Sequence, residues 1–368
     1  MVRLGPGRRA RPGRPSPKAL GAAVVVAALV ALGLWRGRLP EHSRVLRRAP
    51  TPVVLRAPTP AATPRRGLAR YGVGEVVVDY TEPGLFLEPP HSPLGDRPAP
   101  RTLQTTILYP AAPDSTSTVQ EGAPPDRAGA PYPLVVFGPG YLQVPADYQA
   151  LLDAWASAGF VVVAPTFPLT NPAAPGGPDR ADDVNQPIDM RFLIERVTQL
   201  TGQPGNIFSG LVDTAEVAAA GQSDGGNTAL ALAEDSRYQS VRLQALLVLS
   251  GEKWRGFTGG VWFHGASVPL LAVQGTADDI NPPDRTDTYF AAAPEPKTLV
   301  CLLGAGHLGP YETTDRDEQV VAAATIDFLD EHLYHLRGAE DAFLRAVDVP
   351  GVAEIASSCP TTARSSAG

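Results

Sequence analysis

The sequence predicts one α/β domain over residues 69–360, a mostly parallel central sheet with helices on both faces and no cap domain. Three observations carry that expectation. Short apolar runs bounded by glycine and proline, such as "PLVVFG" (Pro133 to Gly138) and "FVVVAP" (Phe160 to Pro165), read as strands buried on both sides. The stretches between such runs carry apolar residues at helical spacing. Strand-like and helix-like segments alternate along the chain, which is the order of a parallel sheet with crossover helices.

The elements follow in order. "EVVVDY" (Glu75 to Tyr80) and "TLQTTILYP" (Thr102 to Pro110) are strands ahead of the first core strand, the second with clear alternation. After "PLVVFG", a helix from Ala146 to Ala158 sets Tyr148, Leu151, Leu152 and Trp155 on one stripe and is closed by Gly159. "FVVVAP" is followed by a helix over Asp183 to Leu200, with Ile188, Phe192, Leu193, Val197 and Leu200 at helical spacing. Then come "EVAAAG" (Glu216 to Gly221), a helix after Ser223, "LQALLVLSG", "VPLLAVQG", a short helix near Arg285, "KTLVCLLG", and a long helix from Glu318 to Leu333. Only Gly251 to Ser267 separates "LQALLVLSG" from "VPLLAVQG", too little for a cap domain, so a site at the strand ends should be open.

Charge divides the chain. Up to Leu68 there are 14 Arg or Lys against a single acid, so the net −7 of the whole chain leaves −20 on the remainder. So acidic a body is not expected to bind nucleic acid, which draws on clustered Lys and Arg. Residues 1–18 form a basic segment, followed by the uncharged apolar run "ALGAAVVVAALVALGLW" (Ala19 to Trp35). That order reads as a signal peptide or a membrane anchor, with cleavage left open. Residues 36–68, rich in Pro, Arg and Thr, read as a disordered tether, and 361–368 as a flexible tail. The catalytic domain is then expected outside the cell, secreted or held at the membrane by the uncleaved segment, and monomeric. In an exported protein the two cysteines, Cys301 and Cys359, are expected to pair, the alternative being two separate thiols.

In open sheets of this kind, chemistry sits in loops beyond the carboxyl ends of the strands. Three such ends carry reactive groups: Ser223 after "EVAAAG", Asp278 and Asp279 after "VPLLAVQGTA", and His307 after "KTLVCLLGAG". The chain order nucleophile, acid, histidine is that of the α/β-hydrolases and not of the chymotrypsin or subtilisin types. Each piece alone has an ordinary reading: G-x-S-x-G arises by chance in glycine-rich chains, "DD" is usually a solvated turn, and a lone histidine is usually structural. Their joint placement points to a Ser-His-Asp triad, with Asp278 preferred over Asp279 because Ile280 and Pro282 would anchor the loop behind it.

A serine at a sharp strand-to-helix turn holds a strained backbone, which explains Gly221 and Gly225 around Gln222, Ser223 and Asp224. The backbone N–H of Asp224, at the start of a helix, is one expected oxyanion donor. The N–H of Tyr141, in "GPGY" (Gly138 to Tyr141), is the expected second.

From about Arg70 to Cys359 the chain resembles serine α/β-hydrolases related to chlorophyllase, the platelet-activating-factor acetylhydrolase type, and actinobacterial cutinases and polyester hydrolases. The resemblance rests on "RTLQTTILYPA", "GPGY", "GQSDGG", "DDINP" and "GAGH". It implies oxyanion donors at Tyr141 and Asp224, an acid at the start of a D-x-[IV]-x-P phrase, hence Asp278, and often a late disulfide. Polyester hydrolases usually carry Trp or His where this chain has Gln222, which weakens a polymer substrate. Dienelactone hydrolases use a cysteine nucleophile, so Ser223 argues against that activity.

The expected activity is carboxylic-ester hydrolysis through an acyl-enzyme, with no cofactor and no metal. An open site suits bulky, lipid-like or polymeric esters, with Tyr141, Leu142, Trp254 and Phe257 offering apolar contact or, for Trp254, simply packing its loop. The acidic body should favour neutral esters. Acyl transfer by the same triad and a non-catalytic binding role stand as alternatives.

Overall fold

The computed structural model describes residues 71–82, 100–112, 119–239 and 241–361. The expected basic segment, apolar run, tether and the tail beyond Thr361 lie outside them. Among the described residues no helix is long and apolar enough to cross a membrane.

Among the described residues ten strands form one sheet: β1 (Gly72–Glu82), β2 (Arg101–Ala111), β3 (Gln120–Glu121), β4 (Tyr132–Gly138), β5 (Val161–Thr166), β6 (Val212–Gln222), β7 (Ala245–Leu249), β8 (Leu270–Gly275), β9 (Lys297–Leu302) and β10 (Ala353–Ala356). Their order is β10-β9-β8-β7-β6-β4-β5-β2-β1-β3. The strands from β5 to β9 in that order pair in parallel, whereas β2 and β10 close the two sides antiparallel. The central strands are the apolar runs that the sequence singled out.

The α-helices among the described residues are seven: α1 (Gln149–Ala158), α2 (Gln186–Thr201), α3 (Asp224–Glu234), α4 (Pro283–Ala292), α5 (Gly309–Glu312), α6 (Arg316–His332) and α7 (Ala339–Val347). Alternate residues of β4 face opposite layers. Leu134 and Val136 join Leu193 of α2 and Leu230 of α3, whereas Val135 and Phe137 join Trp155 of α1 and Phe328 of α6. This is the two-sided cover expected of a parallel sheet.

Some boundaries differ from the periodicity. The first turns expected at Ala146 and Asp183 are 3-10 segments, Pro145–Tyr148 and Arg180–Asn185, and the α-helices start after them. Pro187 stands in the first turn of α2, where its missing N–H is harmless but where an α-helix running in from upstream would be interrupted. The sequence reading stopped at Leu333 and missed α7 and β10. The first packs Phe343 against Phe328 of α6, and the second is a four-residue strand whose partner is β9. Between β7 and β8 the chain forms no helix, and only Trp262 makes an isolated bridge, to Asp235, so no cap covers the sheet edge there.

Cys301 on β9 and Cys359 beyond β10 are disulfide-bonded, with Cα atoms 5.5 Å apart and 58 residues of separation. By chain-closure entropy a loop of that length restricts the unfolded state by about 4 kcal/mol. The Cys359 N–H also donates to Asp287 of α4 at 3.0 Å, so the C-terminal strand is tied twice.

A buried ionic cluster fixes the start of β2 to α2. The Arg101 guanidinium donates to both oxygens of Asp182, at 2.6 and 2.7 Å, and to both of Asp189, at 3.0 and 2.7 Å, with Glu82 beside them. Three buried carboxyls crowd here with Arg101, and Arg191 also acts on Glu82; burial pushes Asp189 up to about 8 and also raises Glu82. Burial likewise lifts Glu234 and Glu312 to about 7 and Asp153 to about 6. A carboxyl raised by folding binds more protons in the native than in the unfolded state between its two pKa values, so its contribution falls as pH rises through that window. The thermal midpoint is therefore expected to be higher at pH 5.5 than at pH 8.5 at constant ionic strength. A midpoint that climbs over this range would contradict the burial of these acids in protonated form.

Candidate active site

The carboxyl ends of β4, β6, β8 and β9 converge on one edge of the sheet, and the residues singled out in the sequence meet there. Ser223 leaves β6 with φ 54° and ψ −122°, a conformation that side-chain-bearing residues rarely hold. Its backbone is fixed on both sides: its N–H donates to the Leu249 carbonyl at 2.9 Å and its carbonyl accepts from Asn227 at 3.0 Å. The turn closes only with glycines around it. A Cβ on Gly221 would stand 2.1 Å from the Gly225 carbonyl oxygen, and one on Gly225 would stand 1.8 Å from the Gly138 oxygen of β4.

His307 lies in the loop after β9, its Nε2 2.8 Å from Ser223 Oγ and its Nδ1 2.7 Å from Asp278 Oδ2. All three side chains are buried, Ser223 retaining 9% of its accessible surface, His307 5% and Asp278 3%. Of the adjacent acids it is Asp278 that meets the ring, whereas Asp279 is exposed. The Asp278 carboxylate is held by the N–H groups of Ile280 and Asn281, at 3.0 and 2.8 Å, and by the Gln274 amide at 3.3 Å. The expected anchor needs correction: Ile280 is 56% exposed, and it is Asn281, buried and donating to the Ser250 carbonyl at 2.8 Å, that holds the loop.

The loop after β4 passes over the serine. In it the Gly140 N–H is taken by the Tyr148 hydroxyl at 3.1 Å and the Leu142 N–H by the Thr170 carbonyl at 2.8 Å. Tyr141 lies between them, and no hydrogen bond to its N–H occurs among the described residues. Asp224 is the first residue of α3, where an N–H has no partner within the helix. Two uncommitted backbone donors therefore border Ser223, at the two positions expected from the sequence.

The sequence reading missed what the Asp224 side chain does. Its carboxylate is buried and gripped by the Arg180 guanidinium, with Nε at 2.6 Å from Oδ2 and Nη2 on Oδ1, and Asn227 adds a bond at 3.0 Å. Arg180 also lies over the Trp254 ring at 5.6 Å. Burial together with the neighbouring Asp224 charge keeps the Asp183 carboxyl well above the carboxylate range. Forty-four residues separate Arg180 from Asp224, and no local spacing announces the pair. Tyr148, read as part of an apolar stripe, turns its hydroxyl to the site. Phe257, expected as a substrate contact, is buried among Tyr238, Trp254 and Trp262 and offers none, whereas Leu142 is 44% exposed and Trp254 is partly exposed.

The profile of the family described as Chlorophyllase matches residues 109–251, a span from β2 through the nucleophile turn to the end of β7. Among solved structures the chain is similar to the ferulic acid esterase from Streptomyces cinnamoneus, with TM-score 0.55 and 20% identity over 75% of this chain and 93% of that one. The chain has the α/β-hydrolase fold. No curated protein matches it in sequence. Within the α/β-hydrolase fold the edge where Ser223, Asp278 and His307 meet is the edge at which ligands bind in open parallel sheets. No group of three or more His, Cys, Asp or Glu with metal-holding geometry occurs among the described residues.

Proposed function

We propose that the chain is a serine carboxylic-ester hydrolase that works through an acyl-enzyme. The observation that carries this reading is the continuous Asp278–His307–Ser223 line of hydrogen bonds beside two uncommitted N–H groups. In the forward step Ser223 Oγ bonds to the ester carbonyl carbon as His307 Nε2 takes its proton. Asp278, held by two backbone donors, orients the ring and stabilises its charged form. The carbonyl oxygen becomes an oxyanion facing the N–H groups of Tyr141 and Asp224, where loss of one donor typically costs about a hundred- to a thousand-fold in rate. Collapse breaks the bond to the alcohol, which leaves with the proton from His307, and water repeats the sequence to release the acid.

Neutral, lipid-like or bulky esters are the proposed substrates. The open edge between β7 and β8, partly exposed Trp254 and exposed Leu142 support bulk, and the family described as Chlorophyllase and the ferulic acid esterase neighbour support ester chemistry. The net −20 beyond Leu68 supports neutrality. Arg180 and Arg285 do not offset this, since Arg180 is held by Asp224 and Arg285 by Glu252 at 2.9 Å. At low salt a neutral nitrophenyl ester is expected to turn over with a higher kcat/KM than an isosteric carboxylate-bearing one, and the gap should narrow as salt is added. The reverse order would refute the charge argument. Stoichiometric burst release of nitrophenol tests the acyl-enzyme itself. Diversion of the acyl group to added alcohol would instead favour acyl transfer, and absence of any turnover a binding role. Export of the domain, secreted or anchored, remains part of the proposal through the apolar run Ala19 to Trp35.

A further inference from the structure

Gln222, the residue at which the chain departs from the polyester hydrolases it resembles, is wholly buried and bonded at both ends. Its Nε2 donates to the His307 carbonyl oxygen at 3.0 Å, and its Oε1 accepts from the Tyr148 hydroxyl at 2.8 Å. The Tyr148 oxygen in turn accepts from the Gly140 N–H at 3.1 Å. The orientation of each group is forced. A backbone carbonyl only accepts, so the amide must turn its nitrogen to His307, which leaves its oxygen for a donor. Tyr148 is that donor, since burial raises its phenol well above the ordinary value and keeps it protonated.

We propose that Gln222 and Tyr148 are positioning residues for the reaction assigned above: a one-way relay from the Gly140 N–H through Tyr148 and Gln222 to the His307 carbonyl holds the oxyanion loop and the histidine loop in register on either side of Ser223. The proposal rests on the ester-hydrolase reading and adds what sets the geometry of its two halves. The loops that follow β4 and β9 are far apart in sequence and share no strand pairing. Gln222 sits on β6, between them, and is the residue before the nucleophile. The oxyanion loop also packs directly on this side chain. A Cβ on Gly140 would stand 2.8 Å from Gln222 Oε1 and 3.1 Å from the Ser223 Cβ. The amide nitrogen lies 3.5 Å from His307 Nε2, so it borders the atom that receives the serine proton. An amide buried in this position costs stability unless each polar atom has a partner, and here the partners are the two loops that carry the chemistry.

The test is a double-mutant cycle between Gln222→Met, which keeps the length of the side chain but neither bond, and Tyr148→Phe, which keeps the ring packed on Phe137 at 4.9 Å. Each single change is expected to lower kcat by about tenfold with KM within about twofold of wild type. Because the relay acts as one unit, the double variant should fall no more than about twofold below the worse single one. A second readout needs no turnover: the low-field proton resonance of His307 Nδ1–H, bonded to Asp278, should broaden in both single variants as the ring loses its fixed position. Wild-type kcat in both variants, a change in KM alone, losses that multiply in the double variant, or an unaltered resonance would each overturn the relay. Tyr148→Phe removes one oxygen atom and keeps the test available if Gln222→Met does not fold. A wild-type protein that hydrolyses no ester but whose variants show the broadening would refute the hydrolase reading and leave the relay standing. Activity lost in Ser223→Ala but untouched in the cycle would do the opposite.

Discussion

Ser223→Ala is expected to abolish ester hydrolysis, lowering kcat by roughly four to six orders of magnitude. Removing a member of a Ser-His-Asp unit costs about that much, because the remaining members have no nucleophile to activate and only the oxyanion donors and binding contribute. The variant should otherwise keep its structure. Serine and alanine have similar difficulty at φ 54°, and the strain is held by Leu249 and Asn227 through backbone bonds that the substitution leaves intact. The lost bond to His307, 2.8 Å long, amounts to about 1 kcal/mol of stability. The measurement is steady-state hydrolysis of a neutral nitrophenyl ester by wild type and variant, with thermal midpoints taken in parallel. Activity retained within tenfold by a folded Ser223→Ala protein would place the chemistry elsewhere.

Gly225→Ala is expected to be the most disruptive single-carbon change in the site. The added Cβ would lie 1.8 Å from the Gly138 carbonyl oxygen and 2.6 Å from that of Pro139, and backbone atoms cannot rotate away as a side chain can. Either α3 retreats from β4 or the loop carrying Tyr141 lifts, so folding and catalysis suffer together. Overpacking in interiors typically costs 1–3 kcal/mol, and a backbone clash this close should exceed about 3 kcal/mol. Gly202→Ala is the matched control: Gly202 has φ −78° and its nearest neighbour to a Cβ is the Gln199 oxygen at 3.5 Å. It should stay within about 0.5 kcal/mol of wild type. Soluble, active Gly225→Ala protein with an unchanged midpoint would mean that the close approach of α3 to β4 is not needed.

What could be read in advance follows from what is local. The parallel strands announce themselves because a strand buried on both sides is a continuous apolar run, and the nucleophile turn because its backbone tolerates only glycine at Gly221 and Gly225. The residues of the site that sit directly at strand ends were legible for the same reason. Features created by contact across the fold were not. Tyr148 stands at helical spacing from Leu151 and Trp155, and only its contacts with Gly140 and Gln222 show that its hydroxyl is engaged. Arg180 and Asp224 become a pair only when α3 is laid beside the segment before α2. Asn281 replaces Ile280 as the loop anchor because a buried turn needs its polar groups bonded more than it needs an apolar contact. Likewise β10, too short to signal itself, is defined by β9 and the Cys301–Cys359 bond. Gln222 was visible as a departure, yet its meaning lies in two partners from two distant segments, Tyr148 and His307.

The central claim is that Ser223 is the nucleophile, activated by His307 and Asp278. It is tested most directly by mapping the adduct of a neutral aryl phosphonate ester, in which the serine oxygen bonds to phosphorus as the phenol departs. The expected result is one adduct per chain, located by peptide mass spectrometry on Ser223, formed with equimolar release of phenol, absent in Ser223→Ala and strongly slowed in His307→Asn. An adduct on another residue, or none from a protein that still hydrolyses the matching carboxylic ester, would contradict it.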